Sequence, residues 1–569
     1  MLASAGIGLS VATSGCVREV RSAVNRADVD QLSVTITTLP ADGDRESILL
    51  ARAIRAALED VGVGVEIEMR AEEEFRRSVL INHDFDVYVG RHPGDVDPDF
   101  LYEMVHSRFA EEAGWQNPFG FADLAVDEQL ETQREVDDED REDAVAEVLE
   151  TIAAEQPFVP ICIPEEYRIV RTDRFAGWGD DHPTTRLGWL GLEADDENAT
   201  LRAAHTDPRP SENLNPLAVE ERNYWTIIDL LYDSLTTVVD GAFEPWLADS
   251  WAFDDGTAAV ELREDCRFHD GEALTADDVA FTYRFLADTT LGQSEFPAPT
   301  PHYRGHVTAV DEIDVVDDHR LELSFETGEA VAERALSVPI LPEHVWDERA
   351  SAASVPGVQL AEGTTEALVT NNIPVVGSGP YRFEDHAVRD HVTLERYDDH
   401  FTLREGVDLP EPTAASLRIQ IDPRSTSAIE LVEGDDADVT SLPLESYVVD
   451  DVLESTGDDV EVLESPSWTF YHLGFNTRRA PFTNTNFRRV VARLLDKSWL
   501  IESVFDGYAQ PTATPVADEW TPEELTWNDD DPVTPFLGTD GEIDTEAARD
   551  AFEDAGFRYA DDGTLRVRR

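Results

Sequence analysis

Residues 245–279 read PWLADSWAFDDGTAAVELREDCRFHDGEALTADDV, and they contain the densest set of local signals in the chain. Residues 258–263 alternate between apolar and polar side chains, with an Asp-Gly pair on either side. This pattern predicts a half-buried strand between two turns. Thr275, followed three positions later by Asp278, predicts the N-terminal cap of an amphipathic helix. The stretch therefore predicts strands, tight turns and a covering helix.

The front of the chain alternates strands and helices in the same way. Apolar side chains at helical spacing predict a helix over 44–60, and alternating ones predict a strand over 63–69. A helix over about 71–81 and a strand over 85–90 follow. This order predicts an α/β fold in which helices cover a sheet. Residues 179–198, rich in Asp, Gly and Pro, are typical of a linker.

The charge of the chain is strongly negative. It has 120 acidic against 44 basic residues in 569, a net charge of −76, and Lys497 is its only lysine. Like-charge repulsion opposes the approach of nucleic acid and of anionic membranes, which argues against both as partners. The acids lie among hydrophobic periodic segments, which argues against disordered acidic tails. Because molar salt shortens the Debye length to about 3 Å, we expect a halophilic, haloarchaeal protein.

The N-terminus carries a short run of small and apolar residues that ends in Gly15 and Cys16. This run resembles a lipoprotein signal, which is cut before a cysteine that then carries lipid. It is too short to span a bilayer, which needs about 20 apolar residues. No basic segment precedes it and Thr13 stands where leucine is usual, so a plain leader is the alternative. We expect a lipidated Cys16, a tether over 17–30, and buried free thiols at Cys162 and Cys266.

The stretch that opens this section belongs to a longer series of motifs that resembles one family. The later motifs, in order, are Pro339-Ile340-Leu341-Pro342-Glu343-His344, Gly377-Ser378-Gly379-Pro380-Tyr381, Leu473-Gly474-Phe475-Asn476-Thr477 and Gly507-Tyr508-Ala509. The series resembles the extracellular solute-binding proteins of peptide and nickel ABC importers, the family of dipeptide- and oligopeptide-binding proteins. The resemblance implies a two-lobed clamp of the type II periplasmic-binding-protein class, with mixed sheets covered by helices.

The front segment resembles the end of the same family. Its motifs are Asp97-Pro98-Asp99-Phe100-Leu101, His106-Ser107, Gly120-Phe121 and Gln156-Pro157-Phe158-Val159-Pro160. The resemblance therefore implies a circularly permuted chain, in which residues 32–38 pair with the tail at 565–567. A fusion of two incomplete proteins is the alternative, but it would leave sheet edges uncovered.

Permutation implies a definite division of the chain. The expected ranges are a leader over 1–30, the first part of one lobe over 31–154, the other lobe over 155–424 with a small extra subdomain at about 245–340, and the rest of the first lobe over 425–569. We expect this protein to be a monomer.

The resemblance implies binding rather than catalysis. The clamp would capture a peptide or similar solute outside the cell and deliver it to a membrane permease. A chemosensory binding protein of the same fold is an alternative, and a secreted enzyme is a remote one. The sequence contains no Gly-x-Ser-x-Gly, His-Glu-x-x-His, Cys-x-x-Cys or phosphate-binding glycine motif. The fourteen histidines do not show ligand spacing, so we expect neither a metal nor a cofactor.

One loop carries the expected contacts to the solute. In peptide binders of the family, an aspartate in a Gly-Trp-x-x-Asp-Tyr-x-Asp-Pro loop neutralises the peptide α-amino group. Residues 90–98 read Gly-Arg-His-Pro-Gly-Asp-Val-Asp-Pro, which offers Asp95, with His92 beside it, at an offset that differs by one residue. Arg91 replaces the tryptophan and favours a carboxylate or phosphate-like group. A solvated loop with incidental charges is the alternative.

Other candidate contacts lie on segments that reach the cleft in relatives. They are Trp468, Tyr471, Phe475 and Asn476, together with Tyr224 and Trp225 ahead of an early helix. Aromatic walls with a few polar groups suit ligands of varied side chain, although core packing is the alternative for each ring. A peptide is the first choice of solute, and another anionic or amphoteric solute is the second.

Overall fold

A computed structural model of the protein describes residues 31–566 apart from 195, 197, 219–225, 296, 355–362, 456 and 458. Cys16, Tyr224 and Trp225 lie outside the described residues. The α-helices are Arg45–Asp60, Glu72–Arg76, Phe100–Val105, Leu124–Glu135, Asp138–Glu155, Thr226–Leu231, Ala276–Ala287, Arg304–Val307, Glu329–Ala335, Glu343–Trp346, Glu366–Val369, Ser425–Glu433, Val449–Ser455, Thr485–Ala492, Lys497–Val504 and Thr545–Asp554. A π-helical turn, Arg77–Ile81, continues the second of them.

A six-stranded mixed sheet draws its strands from both ends of the chain. Its strands, in spatial order, are Gly64–Met69, Ser33–Thr38, Val87–His92, Phe470–Phe475, Phe158–Pro164 and Ala509–Pro511. The first three are parallel neighbours, and Phe470–Phe475 runs antiparallel between Val87–His92 and Phe158–Pro164. Strand Phe470–Phe475 is buried at every position and His472 is its one strongly polar side chain, as expected for a strand that is covered on both faces.

Helices from the front and the rear of the chain cover this sheet together. On one face, Ile54 of Arg45–Asp60 lies in the same core as Phe487 and Phe552 of two rear helices. On the other face, helices Leu124–Glu135 and Asp138–Glu155 bury apolar side chains against the sheet. Each such side chain contributes on the order of 1.5–3 kcal/mol when it is removed from water. We call the sheet and these helices the six-stranded lobe.

The two ends of the described chain meet at the edge of this lobe. The Leu32 amide donates to the Leu565 carbonyl at 2.7 Å, and the Leu565 amide donates to the Gly62 carbonyl at 2.9 Å. Gln31 and Arg566 form an antiparallel bridge. Backbone hydrogen bonds therefore join the start of strand Ser33–Thr38 to the short strand Leu565–Arg566, where the described residues end.

A seven-stranded sheet forms the core of the second lobe. Its strands, in spatial order, are Tyr381–Ala387, His391–Arg396, Ser416–Ile421, Thr200–His205, Val439–Thr440, Glu166–Arg171 and Val460–Ser465. A four-stranded sheet, Ala248–Asp254, Thr257–Leu262, Arg320–Phe325 and Val310–Asp317, shares its apolar core. We call these sheets and their helices the seven-stranded lobe.

Two strand connections join the lobes. Phe158–Pro164 belongs to the six-stranded sheet and Glu166–Arg171 to the other, so the chain crosses at Glu165. It crosses back between Val460–Ser465 and Phe470–Phe475. The sheets therefore change near 165 and 466 rather than at the expected 154 and 425. The difference arises because Phe158–Pro164 pairs within the six-stranded sheet, whereas the helices and strands of residues 425–465 pack on the seven-stranded sheet. Periodicity along the sequence does not reveal which sheet an element joins.

Most local expectations agree with the structure, and one is wrong. Thr275 and Asp278 form a reciprocal capping box at the start of Ala276–Ala287, and Cys162 and Cys266 are buried free thiols. The linker expected over 179–198 instead buries Leu187, Trp189 and other apolar residues in the core of the seven-stranded lobe. No helix within the described ranges has the length and hydrophobicity needed to cross a membrane.

Candidate functional site

A cavity with a volume of about 290 Å³ lies where the two lobes face each other. The six-stranded lobe contributes the loop after Val87–His92 and residues such as Trp115 and Trp468. The seven-stranded lobe contributes Asp229, Phe243 and Arg334 among others. A ligand in this cavity would contact both lobes at once, which is the geometry that a closing clamp requires.

A buried arginine connects the lobes at the wall of the cavity. Arg334, on helix Glu329–Ala335, is 2% exposed and donates from Nε to Asp95 Oδ2 at 2.8 Å. Its terminal nitrogens lie 3.4 Å from Asp99 and 3.3 Å from Glu103. Burial opposes the positive charge, but the three carboxylates outweigh it and raise the pKa of Arg334. The expected ammonium partner, Asp95, is therefore already paired across the cleft.

Further arginines from the six-stranded lobe complete this ion cluster. Arg141 contacts Asp97 with two nitrogens at 2.9 and 2.6 Å, and Arg134 Nε lies 3.0 Å from Asp99. Burial raises the pKa of Asp99, whereas the neighbouring arginines oppose that rise. Because buried charges need partners, the three arginines fix the positions of Asp95, Asp97, Asp99 and Glu103.

Aromatic rings form the other wall of the cavity. His92 packs between Phe100 and Phe470, with ring centroids 5.6 and 5.2 Å away, and meets the Trp115 ring edge-on at 5.4 Å. Its Nδ1 accepts from the Gly94 amide at 3.0 Å, and burial lowers its pKa to about 3. His92 is therefore a neutral, apolar-packed residue at neutral pH.

Trp468 lies at the boundary between the lobes. Its ring stacks on His182 of the seven-stranded lobe with centroids 4.5 Å apart, and the His182 ring also contacts the Pro466 carbonyl at 2.8 Å. Among the expected contacts, Trp468, His92 and Asp95 all line the same cavity.

Arg91 and Tyr471 lie away from this cavity because strands alternate their side chains between faces. The register pairs Tyr471 with Arg91 and Phe470 with His92, so neighbouring side chains point to opposite sides of the sheet. Arg91 Nε lies 3.2 Å from Asp44, and its guanidinium lies 5.9 Å from the Tyr471 ring centroid. Arg91 also lines two smaller cavities, one of about 140 Å³.

Phe475 and Asn476 are enclosed within the six-stranded lobe. Phe475 is fully buried and stacks with Phe482 at a centroid distance of 6.0 Å. Asn476 Nδ2 donates to the His83 and Phe85 carbonyls at 3.0 and 2.9 Å. Asn476 thus holds the turn before Val87–His92, and neither residue lines the cavity between the lobes.

The carboxylates of the cavity differ in how well they are paired. Asp95 and Glu103 contact Arg334, and Glu166 contacts Arg168 at 2.8 Å. Among the residues that the structure describes, the nearest cation to Asp229 is Arg186, at 3.7 Å, which is beyond hydrogen-bonding distance. Loss of water around the carboxylate inside the cleft raises the pKa of Asp229 to about 6, and Arg186 only partly opposes this.

Sequence reasoning did not identify the residues from the seven-stranded lobe. Arg334 is 239 positions from Asp95, and Asp229 is one acid among 120. The only sequence signal for Arg334 is that a cation within an apolar helical segment needs a buried partner. In the part of the chain that the structure covers, no group of three or more His, Cys, Asp or Glu side chains could hold a metal.

Comparison with known proteins places the chain in a family. Residues 242–568 match the family described as bacterial extracellular solute-binding proteins, family 5 Middle. The chain belongs to this family of solute-binding proteins.

Individual relatives are distant. Heme-binding protein A of Haemophilus influenzae is 23% identical over 354 residues, which are 60% of this chain and 59% of that protein. The oligopeptide-binding protein AppA of Bacillus subtilis is 24% identical over 285 residues, 50% of this chain and 46% of that one. The chain thus spans about half the length of the curated relatives that it matches.

Solved structures also resemble the chain over part of its length. AppA from Bacillus subtilis in complex with a nonapeptide is 18% identical, with a TM-score of 0.45 over 64% of this chain and 66% of that one. The periplasmic binding protein DppA from Helicobacter pylori in complex with the peptide STSA is 16% identical, with a TM-score of 0.46 over 63% of this chain and 66% of that one.

Proposed function

We propose that this protein is the extracellular solute-binding component of an ABC importer, which captures a peptide or similar small solute by lobe closure and delivers it to the permease. The observation that carries the proposal is the cavity of about 290 Å³ lined by both lobes. Ion pairs span the same boundary, as in Arg334 with Asp95 and Arg304 with Glu112 at 2.8 Å.

The lining of the cavity favours a peptide over a purely anionic solute. Four carboxylates and one arginine, Arg334, belong to it, and burial keeps His92 and His306 neutral. An anion would meet net negative charge in a site of reduced water access. The volume lies near the lower end of the range for ligand pockets, roughly 300–1,000 Å³, and so suits a peptide of a few residues. Relatives named for oligopeptide binding support the same class.

The direct test is to identify what the protein carries. Protein purified from its native membranes in molar salt should release a peptide on denaturation, which mass spectrometry would identify. The same peptide should titrate the emptied protein in calorimetry and be recovered intact afterwards. An anionic metabolite would favour the second solute class, and chemical conversion would favour an enzyme. A bound peptide with no dependence of uptake on this protein would favour the chemosensory alternative.

The proposed localisation is the outer face of the cell membrane, through a lipid on Cys16. The run before Cys16 supports it, and the whole of that segment lies outside the described residues. Mass spectrometry of the membrane-extracted protein should find a lipidated cysteine at its N-terminus. The Cys16→Ser variant should be released into the medium, and retention of that variant on the membrane would contradict the anchor.

The proposed origin of the segment order is circular permutation within one monomeric clamp, with lobes divided near 165 and 466. Support comes from the hydrogen bonds between Leu32 and Leu565 and from the sheet shared by front and rear strands. A rearranged gene that joins residue 566 to residue 31 and opens the chain near 195 should give the same circular dichroism spectrum and ligand affinity. Failure of this chain to fold, while the original order folds, would favour a fusion.

A further inference from the structure

Asp229 is the cavity carboxylate that has no hydrogen-bonding partner among the residues that the structure describes. Of the four carboxylates in the lining, three have arginine nitrogens at 2.8 to 3.3 Å. The Arg186 nitrogen nearest to Asp229 is at 3.7 Å. Within the described residues, no group donates a hydrogen bond to the Asp229 carboxylate. Its side chain is 36% exposed, so a ligand can reach it.

Arg186 is held away from Asp229 by its other contacts. Its Nη2 donates to Ser234 at 2.9 Å, its Nη1 lies 3.5 Å from Asp233, and its guanidinium lies 4.9 Å from the Trp246 ring centroid. Arg186 is only 4% exposed, so its position is set by packing within the seven-stranded lobe. Moving it towards Asp229 would cost these contacts, and a cation from outside the protein is therefore the better partner.

Two other polar atoms of the cavity residues are also without partners among the residues described. They are Trp115 Nε1, on the six-stranded lobe, and His306 Nδ1, on the seven-stranded lobe. Buried polar atoms in folded proteins nearly always have a partner, so such atoms beside a cavity mark a place where a ligand can supply one. Aromatic rings of Trp115 and Phe243 line the same space, and such faces also attract cations.

We propose that Asp229 binds a protonated amine of the solute, so that the solute is anchored on the seven-stranded lobe. The proposal rests on the proposed binding function and adds the chemical group that is recognised and the residue that recognises it. It assigns the role that the family resemblance offers to Asp95 to a residue of the opposite lobe. The physical reason is that Asp95 is already paired with Arg334 at 2.8 Å, whereas no cation in the described part of the chain is hydrogen-bonded to Asp229.

Defined peptides distinguish the possible sources of the amine. The probes are Ala-Ala-Ala, N-acetyl-Ala-Ala-Ala and N-acetyl-Ala-Lys-Ala, titrated by calorimetry in 2 M KCl at pH 7.5. Ala-Ala-Ala should bind at least tenfold more tightly than its acetylated form if the α-amino group is recognised. N-acetyl-Ala-Lys-Ala should show this advantage instead if a side-chain amine is recognised. Either result supports the proposal.

Isosteric variants identify the residue. Asp229→Asn should weaken the binding of the amine-bearing probe at least tenfold, about 1.4 kcal/mol. It should leave the affinity for N-acetyl-Ala-Ala-Ala unchanged. The matched control is Asp95→Asn, which should not remove the preference for the amine. Thermal melts by circular dichroism should show that both variants fold.

The outcomes separate this inference from the proposed function. If N-acetyl-Ala-Ala-Ala binds as tightly as both Ala-Ala-Ala and N-acetyl-Ala-Lys-Ala, the proposed recognition of an amine is wrong. If Asp229→Asn keeps the full amine preference, or if Asp95→Asn abolishes it instead, the assignment to Asp229 is wrong. If no tripeptide binds the wild-type protein, binding of small peptides fails, and this inference fails with it.

Discussion

The exterior of this protein and the cleft between its lobes differ in whether their charged side chains are paired with opposite charges. The whole chain has 120 acidic residues and 44 basic ones, so at least 76 acidic residues cannot each be paired with a separate Lys or Arg. In the cleft, Arg334, Arg134 and Arg141 are 2 to 5% exposed, and each contacts carboxylates at 2.6 to 3.4 Å. The only lysine, Lys497, is also buried, 2.6 Å from Asp531.

This difference indicates which electrostatic interactions added salt can weaken. Exposed acids repel one another through water, and ions screen that repulsion within about 10 Å at 0.1 M and 3 Å at 1 M. Paired groups inside the cleft are separated by contact distances and shielded from ions. We therefore expect salt to change stability mainly through the exposed acids. We expect substitutions of arginine to lower stability mainly when the arginine lies in the cleft.

The largest expected effect is that of salt on the whole fold. Because the net charge is −76, repulsion should make the folded chain unstable at 0.1 M KCl, and screening should stabilise it at molar salt. Circular dichroism melts between 0.1 and 3 M KCl should show a steep rise in melting temperature. A flat melting temperature over this range would contradict both the halophilic interpretation and the distinction between exterior and cleft.

The next effect concerns the arginine between the lobes. Arg334→Met would leave Asp95, Asp99 and Glu103 with less compensating charge in a buried site. Removing one partner of a buried ion pair typically costs about 3 to 5 kcal/mol. Urea denaturation in 2 M KCl should show a loss of this size, because urea adds no ions of its own.

A double variant tests the reason for that loss. Adding Asp95→Asn to Arg334→Met removes one of the uncompensated carboxylates and should restore part of the free energy of unfolding. If the changes in the free energy of unfolding are additive, Asp95 and Arg334 do not interact energetically. The ion pairs of the cleft would then be no more important to stability than those of the exterior. Small-angle X-ray scattering of Arg334→Met should also show whether the lobes separate.

A smaller effect on stability is expected from Glu46, a buried acid for which no ion pair is seen among the described residues. Burial and the nearby Asp44 charge raise the pKa of Glu46 from 4.5 to about 7, and Ser446 donates to it at 3.1 Å from the seven-stranded lobe. The folded state therefore holds this proton more tightly than the unfolded state. The resulting stability is complete below about pH 4.5 and is lost as the pH rises through 7.

The Glu46→Gln variant keeps the shape of the side chain and removes the ionisation. It should be more stable than the wild-type protein at pH 8, on the order of 2 kcal/mol, and nearly equal to it at pH 4.5. Urea denaturation at both pH values in 2 M KCl measures the difference. A variant that is less stable at pH 8 would show that the charged form of Glu46 is stabilised in the folded protein.

Much of the fold could be predicted because its signals are local. Apolar spacing predicted a helix over 44–60, and the structure has Arg45–Asp60. The error over 179–198 has a physical cause: Asp, Gly and Pro shape the backbone there, but Leu187 and Trp189 still pack in the core. Composition describes the backbone of such a segment and does not reveal whether its few large apolar side chains are buried.

The site could be predicted only where one loop or strand carries it. Asp95, His92 and Trp468 were expected contacts and line the cavity, whereas Arg91 lies on the opposite face of the same strand. Strand alternation would have separated Arg91 from His92 if the register had been known. The contribution of Arg334 and Asp229 depends on how the lobes face each other, and no periodicity in the sequence reports that.

The smallest effect is expected at an exterior ion pair, which is the matched contrast to Arg334. Arg320 Nε donates to Asp317 at 2.8 Å, next to the turn between two strands, and the two side chains are 57% and 43% exposed. Water and molar salt weaken such a pair, and holding two long side chains together costs conformational entropy. Arg320→Gln should therefore leave the urea midpoint in 2 M KCl unchanged within error. A loss comparable to that of Arg334→Met would mean that burial does not decide which arginines matter, because both substitutions remove one positive charge from the same acidic chain.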